Sequence, residues 1–279
     1  MPPTNFPTLA PNVGITYCQT RAMDLIRPEQ RQALFRERDA WLKKIPSGQF
    51  FTWEYYLYHL ADSQLPGVPV IFTKVLQEDM RALRGKSKGE YTECWSDQGK
   101  ILNPGLNHLT YYLHARLYWE PDLDLDAFMA EYCRLFYGPA ASAMREFFEF
   151  AETVWMRPAS RDVYAADGFL KPADVEHYFE ILARAKAAAG DNVYGRRIDL
   201  ISAECQPMKD IFAFSENYER GLAAAKAGDG TTAEACLRKA VACAQDNRSR
   251  ADASYELGHV CVNLLKDDEK ALAAYLQAM

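Results

Sequence analysis

The sequence predicts an α/β segment followed by an all-α segment. Short β-branched and aromatic runs alternate with amphipathic helical runs over the first 120 or so residues. No strand pattern follows Asp122, and the last sixty or so residues are alanine-rich with internal self-similarity.

The first strand is read at Val13 to Cys18, entered through Pro11-Asn12. Pro28 to Lys44 follows as an amphipathic helix bearing Leu34, Phe35, Trp41 and Leu42, and Pro46-Ser47-Gly48 ends it. A second strand, Gln49 to Leu57, is nearly continuously apolar, as suits a strand covered on both faces. Val70 to Leu83 is the second helix. Glu90 to Trp95 is a short third strand, and Leu106 to Leu117 is the helix that closes the unit. Asn107 is expected to cap that helix.

Helices only are predicted beyond this point. Asp124 caps a run to about Phe136, Tyr137-Gly138-Pro139 breaks it, and Ala140 to Trp155 continues. Pro172 to Ala189 is stopped by Gly190-Asp191-Asn192, and Arg196 to Tyr218 reads as one long helix, interrupted or kinked near Pro207. Ala233, Leu237 and Ala240 recur 38 positions later as Ala271, Tyr275 and Ala278. That spacing suggests a stretched tetratricopeptide-like pair or, equally, an unrelated helical hairpin.

Strand–helix pairs at a spacing of roughly 35–40 residues imply βα units in a parallel sheet. Three units fit best as the C-terminal part of a (β/α)8 TIM barrel, whose full length is about 250 residues. The expected organisation is a barrel part over 1–120, a helical extension over 121–215 and a truncated tetratricopeptide-like segment over 216–279. A partial barrel presents unpaired strand edges and is expected to self-associate.

A net charge of −6 with interspersed signs excludes a basic nucleic-acid surface and gives no attraction to an anionic membrane. The N-terminus lacks a signal-peptide pattern, and no apolar run is long enough to span a bilayer. Seven Cys without a CxxC pair and five His without ligand spacing predict neither a disulfide framework nor a metal, and no cofactor motif is present.

In a βα barrel, chemistry sits at the carboxyl ends of the strands. The first strand runs out at Arg21, the second at Trp53, Glu54, Tyr55 and Tyr56 with His59 beyond, and the third at Glu93 and Trp95. Glu54 and Glu93 are the candidate catalytic carboxylates, because glycosidic hydrolysis uses an acid and a second carboxyl group. Arg21, Trp53, Tyr55, Tyr56, His59 and Trp95 are the candidate substrate contacts, aromatic rings being platforms for sugar faces as well as core fillers. Alternation puts Glu93 with Tyr91 on one face and Glu90 with Thr92 on the other, where Glu90 reads as solvent-facing or helix-paired. Glu54 has an alternative structural role, pairing with an arginine such as Arg21.

The order Trp53-Glu54-Tyr55-Tyr56, Pro66-Gly67-Val68-Pro69, Gly89-Glu90-Tyr91-Thr92-Glu93, Leu106 to Asp124, and Tyr137-Gly138-Pro139-Ala140-Ala141 resembles a bacterial barrel family described as a domain of unknown function. That family often follows an alpha-glucuronidase-type N-terminal domain, and its relatives include endo-β-N-acetylglucosaminidases. The similarity covers about residues 12–155. The family's third-strand pattern is roughly Gly-Val-Phe-Glu-Glu/Gln-Gly; here Glu90, Thr92 and Cys94 depart from it. The resemblance implies a glycoside hydrolase, or a C-terminal fragment of one, acting on a complex glycan. It also implies a general acid on an earlier strand, and an extracellular or periplasmic full-length protein. The alternative is a non-catalytic carbohydrate-binding or scaffold protein, with the C-terminal helical repeat available to a protein partner.

Overall fold

The computed structural model describes residues 2, 5, 7–18, 25–56, 67–93, 103–157, 170–244 and 247–279. Strands β1 (Ile15–Cys18), β2 (Phe50–Glu54) and β3 (Glu90–Thr92) form a parallel sheet in the order β1-β2-β3. Ile15 pairs with Phe50 and Thr52 with Glu90, which fixes the register across all three. Helices α1 (Pro28–Leu42), α2 (Thr73–Leu83) and α3 (Pro104–Trp119) alternate with the strands. The βα units are those the sequence predicts.

Proline and borrowed carboxylates set the helix starts. α1 and α3 each carry proline in the first turn, where the missing N–H costs nothing. Thr73 and the Lys74 amide at the head of α2 donate to the Glu152 carboxylate. At α3 the expected cap is corrected: the helix begins at Pro104, so Asn107 lies inside it and is buried. The first-turn amides of Gly105 and Leu106 donate instead to Glu204, at 3.1 and 2.8 Å.

The remaining chain is helical: α4 (Leu125–Tyr137), a 3-10 turn (Gly138–Ala140), α5 (Ala141–Trp155), α6 (Pro172–Ala189), α7 (Val193–Cys205) and α8 (Pro207–Lys226). Asp124 caps α4, accepting from the amides of Asp126 and Ala127. The long helix expected over Arg196 to Tyr218 is interrupted at Pro207 and forms two. Pro207 has no N–H to continue the ladder and becomes the first turn of α8. One core cluster runs from Leu25 to Met208, joining the sheet's helices to α4–α7 through Leu109, Phe147, Phe148, Tyr178 and Ile198.

The C-terminus is built of hairpins: α8 with α9 (Gly230–Cys243), then α10 (Asn247–Val260) with α11 (Asp268–Ala278). Asp229 and Asp267 cap the second helix of each. Gly221 faces Leu237 in the first hairpin, and Gly258 faces Tyr275 in the second. The glycines are 37 residues apart and their partners 38. A π-helical turn at Cys261–Leu265, closed by Lys266 in the left-handed region, absorbs the extra residue.

Candidate functional site

Alternation along the strands divides the candidate residues between the two faces of the sheet. Phe50, Thr52 and Glu54 of β2 are buried, while Phe51 and Trp53 are only half-buried. The buried face is the helix-covered one. Arg38 of α1 and Asp79 of α2 surround Glu54, and His114 of α3 reaches Glu90. The other face carries Thr16, Cys18, Phe51, Trp53 and Tyr91, and has no helix of its own among the described elements.

On the helix-covered side two of the three acidic side chains are paired. Arg38 Nη2 donates to Asp79 Oδ1 at 2.6 Å, and the Tyr56 hydroxyl donates to Asp79 Oδ2 at 2.7 Å. His114 Nε2 lies 2.6 Å from Glu90 Oε1, with its Nδ1 3.3 Å from the Thr92 hydroxyl. Glu54 is the exception. It is fully buried, and neither carboxylate oxygen has a hydrogen-bond partner. Burial, reinforced by the negative charges of Asp79 and Glu90, pushes its pKa well above the ordinary carboxylate range; Arg38 opposes this only in part.

The other face has a different chemistry. The Trp53 indole donates to Glu93 Oε2 at 3.0 Å. Its ring meets Tyr91 edge-on at 5.1 Å and stacks on Tyr55 at 5.9 Å. Tyr91 is 45% exposed, so one aromatic ring opens directly to solvent. The Glu93 amide, just past β3, donates to the Glu54 carbonyl and extends the ladder to the strand's carboxyl end. Glu93 is buried beside the indole, at 7% exposure.

Of the residues singled out in the sequence, Trp53, Tyr55 and Glu93 come together, with Tyr91 added. Glu54 and Tyr56 join the buried network behind the sheet. The two candidate carboxylates therefore do not face one groove. Arg21, His59 and Trp95 lie outside the described residues. Glu90 is helix-paired, through His114, the second of the two roles read for it. Arg38, Asp79 and His114 were not singled out in the sequence. Their signal is a charged or polar residue inside an apolar helical stripe, such as Asp79 between Val75-Leu76 and Met80-Leu83. Among the described residues, no three His, Cys, Asp or Glu side chains are arranged to hold a metal ion, and no helix is long and apolar enough to cross a membrane.

Residues 1–149 match the family described as Domain of unknown function (DUF4838). This stretch holds the whole sheet, α1 to α4 and the first part of α5. No curated protein and no solved structure matches the chain. The match spans more than half of the sequence, so the chain belongs to the DUF4838 family.

Proposed function

We propose that this DUF4838-family chain holds a glycan on the half-exposed face of its sheet, as the sugar-binding part of a glycoside-hydrolase site. Trp53, Tyr55 and Tyr91 are the platform, and Glu93 is the carboxylate that acts at the glycosidic bond. The observation that carries this reading is the 3.0 Å hydrogen bond from Trp53 to Glu93 within an aromatic cluster at the strands' carboxyl ends. An indole N–H fixes the carboxylate's rotamer, and the neighbouring rings offer apolar faces to a pyranose. The family resemblance supports the same class of chemistry. Glu54 is given a structural role, because it lies on the other face and is closed off from solvent.

A second reading, a glycan-binding protein without hydrolysis, is favoured by one observation. Of the described acidic residues in or next to the strands, only Glu93 stands on the half-exposed face, since Glu54 and Glu90 are behind the sheet. Hydrolysis by a carboxyl pair needs a second group on the same face.

Calorimetric titration with cellohexaose and chitohexaose, paired with chromatographic detection of products, separates the two. Binding of at least one hexasaccharide is expected, weakened tenfold or more in Trp53→Ala and unchanged in Glu54→Gln. Cleavage abolished in Glu93→Gln, with binding retained, supports the hydrolase; binding without cleavage supports the second reading. A Trp53→Ala protein that binds like the wild type, or a wild type that binds neither sugar, overturns both.

A further inference from the structure

We propose that Glu54 is a proton-binding site of the fold, occupied at neutral pH, whose deprotonation loosens the seam between β2 and helices α1 and α2. The inference is independent of the glycan reading, because it concerns the opposite face of the sheet.

Three acidic side chains meet in this seam, and two of them are compensated. Asp79 receives both the Arg38 guanidinium and the Tyr56 hydroxyl. Glu90 is in contact with His114 and accepts from Thr92 at 3.3 Å. Among the described residues, the charged groups facing Glu54 are Asp79 from α2, Arg38 from α1 and Glu90 from β3, while Cys18 on β1 acts on it from the opposite face of the sheet. Tyr56, just beyond β2, and Tyr17, on β1, also feel its charge. Arg38 is the one cation of this set, and Asp79 already engages it at 2.6 Å.

Neither Glu54 oxygen has a hydrogen-bond partner, and the Thr52 hydroxyl and Glu90 Oε2 on the same face are also unpartnered. An ionised carboxylate there would be buried, unbonded and next to two like charges. Each of these conditions favours the neutral acid. The proton is thus a structural component of the seam.

The sign of the linkage follows. The folded-state pKa is raised above the ordinary value of 4.5. The stabilising contribution is complete below that value and is lost as pH rises through the folded pKa, because only the folded chain holds the proton in between.

Thermal unfolding of the wild type, Glu54→Gln and Glu54→Leu between pH 5 and 8 reads the effect. The wild-type Tm is expected to fall with rising pH relative to both variants, on the order of 3 °C per pH unit until Glu54 titrates in the folded state. Both variants, lacking the group, should lose that slope and melt above the wild type at pH 8. Infrared spectroscopy of the wild type, which needs no variant to fold, should show a protonated-carboxyl carbonyl band at pH 6.5. A wild-type Tm running parallel to the variants, or a spectrum without that band, overturns the proposal.

Discussion

Arg38 and Asp79 meet at 2.6 Å with 2% and 0% of their side chains exposed, and Tyr56 closes the other carboxylate oxygen. Such a pair adds little net stability over an apolar pair of the same shape, but removing one member strands a buried charge. Arg38→Met is expected to cost about 3–5 kcal/mol, read from the denaturant midpoint. Asp79→Leu in the same chain should restore much of the loss. An Arg38→Met protein as stable as the wild type would mean that the pair does not hold α1 to α2. At this scale the sequence was partly legible. Glu54 and Glu93 stand out as carboxylates at strand ends, and alternation correctly separates Glu93 from Glu90. The same rule places Trp53 and Glu54 on opposite faces, and the register of β2 with β3 then sets Glu93 on the Trp53 side. Arg38, Asp79 and His114 were harder to find, because their partners are 22 to 41 residues away and no local pattern joins them.

Elements were the most legible scale, because their signals are local. Pro28, Asp124 and Pro172 start helices where the capping rules put them. Asn107 failed as a cap because the true start, Pro104, borrows a carboxylate from Glu204, far along the chain. The terminal hairpins repeat one contact, a glycine on the first helix against a large side chain on the second. A Cβ at Gly221 would lie 2.7 Å from Leu237 Cγ, and one at Gly258 would lie 2.4 Å from Tyr275 Cε1. Leu237 is fully buried, whereas the Tyr275 ring is only partly buried, at the edge of the hairpin core beside Tyr255 and His259. Helix propensity alone favours alanine over glycine by about 1 kcal/mol. Overpacking should outweigh this at Gly221, so that Gly221→Ala destabilises by roughly 1–2 kcal/mol in chemical denaturation while Gly258→Ala is closer to neutral. A stabilised Gly221→Ala protein would sink the packing argument.

For the whole molecule, the decisive feature is the asymmetry of the sheet. One face is sealed by α1, α2 and α3 and holds the polar seam around Glu54; the other keeps Trp53 and Tyr91 accessible beside Glu93. The parallel order and βα alternation were legible from strand–helix periodicity. The helix-covered face was not, since a nearly continuous apolar strand such as Phe50 to Trp53 reads the same from either side. The proposed glycan site is the sheet face that carries Trp53, Tyr91 and Glu93. The most direct test is to follow the indole N–H resonances of the five tryptophans during titration with the hexasaccharide that binds. Trp53 should shift in a saturable manner, while the fully buried Trp155 stays still. Saturable binding that leaves the Trp53 resonance unmoved would contradict the assignment.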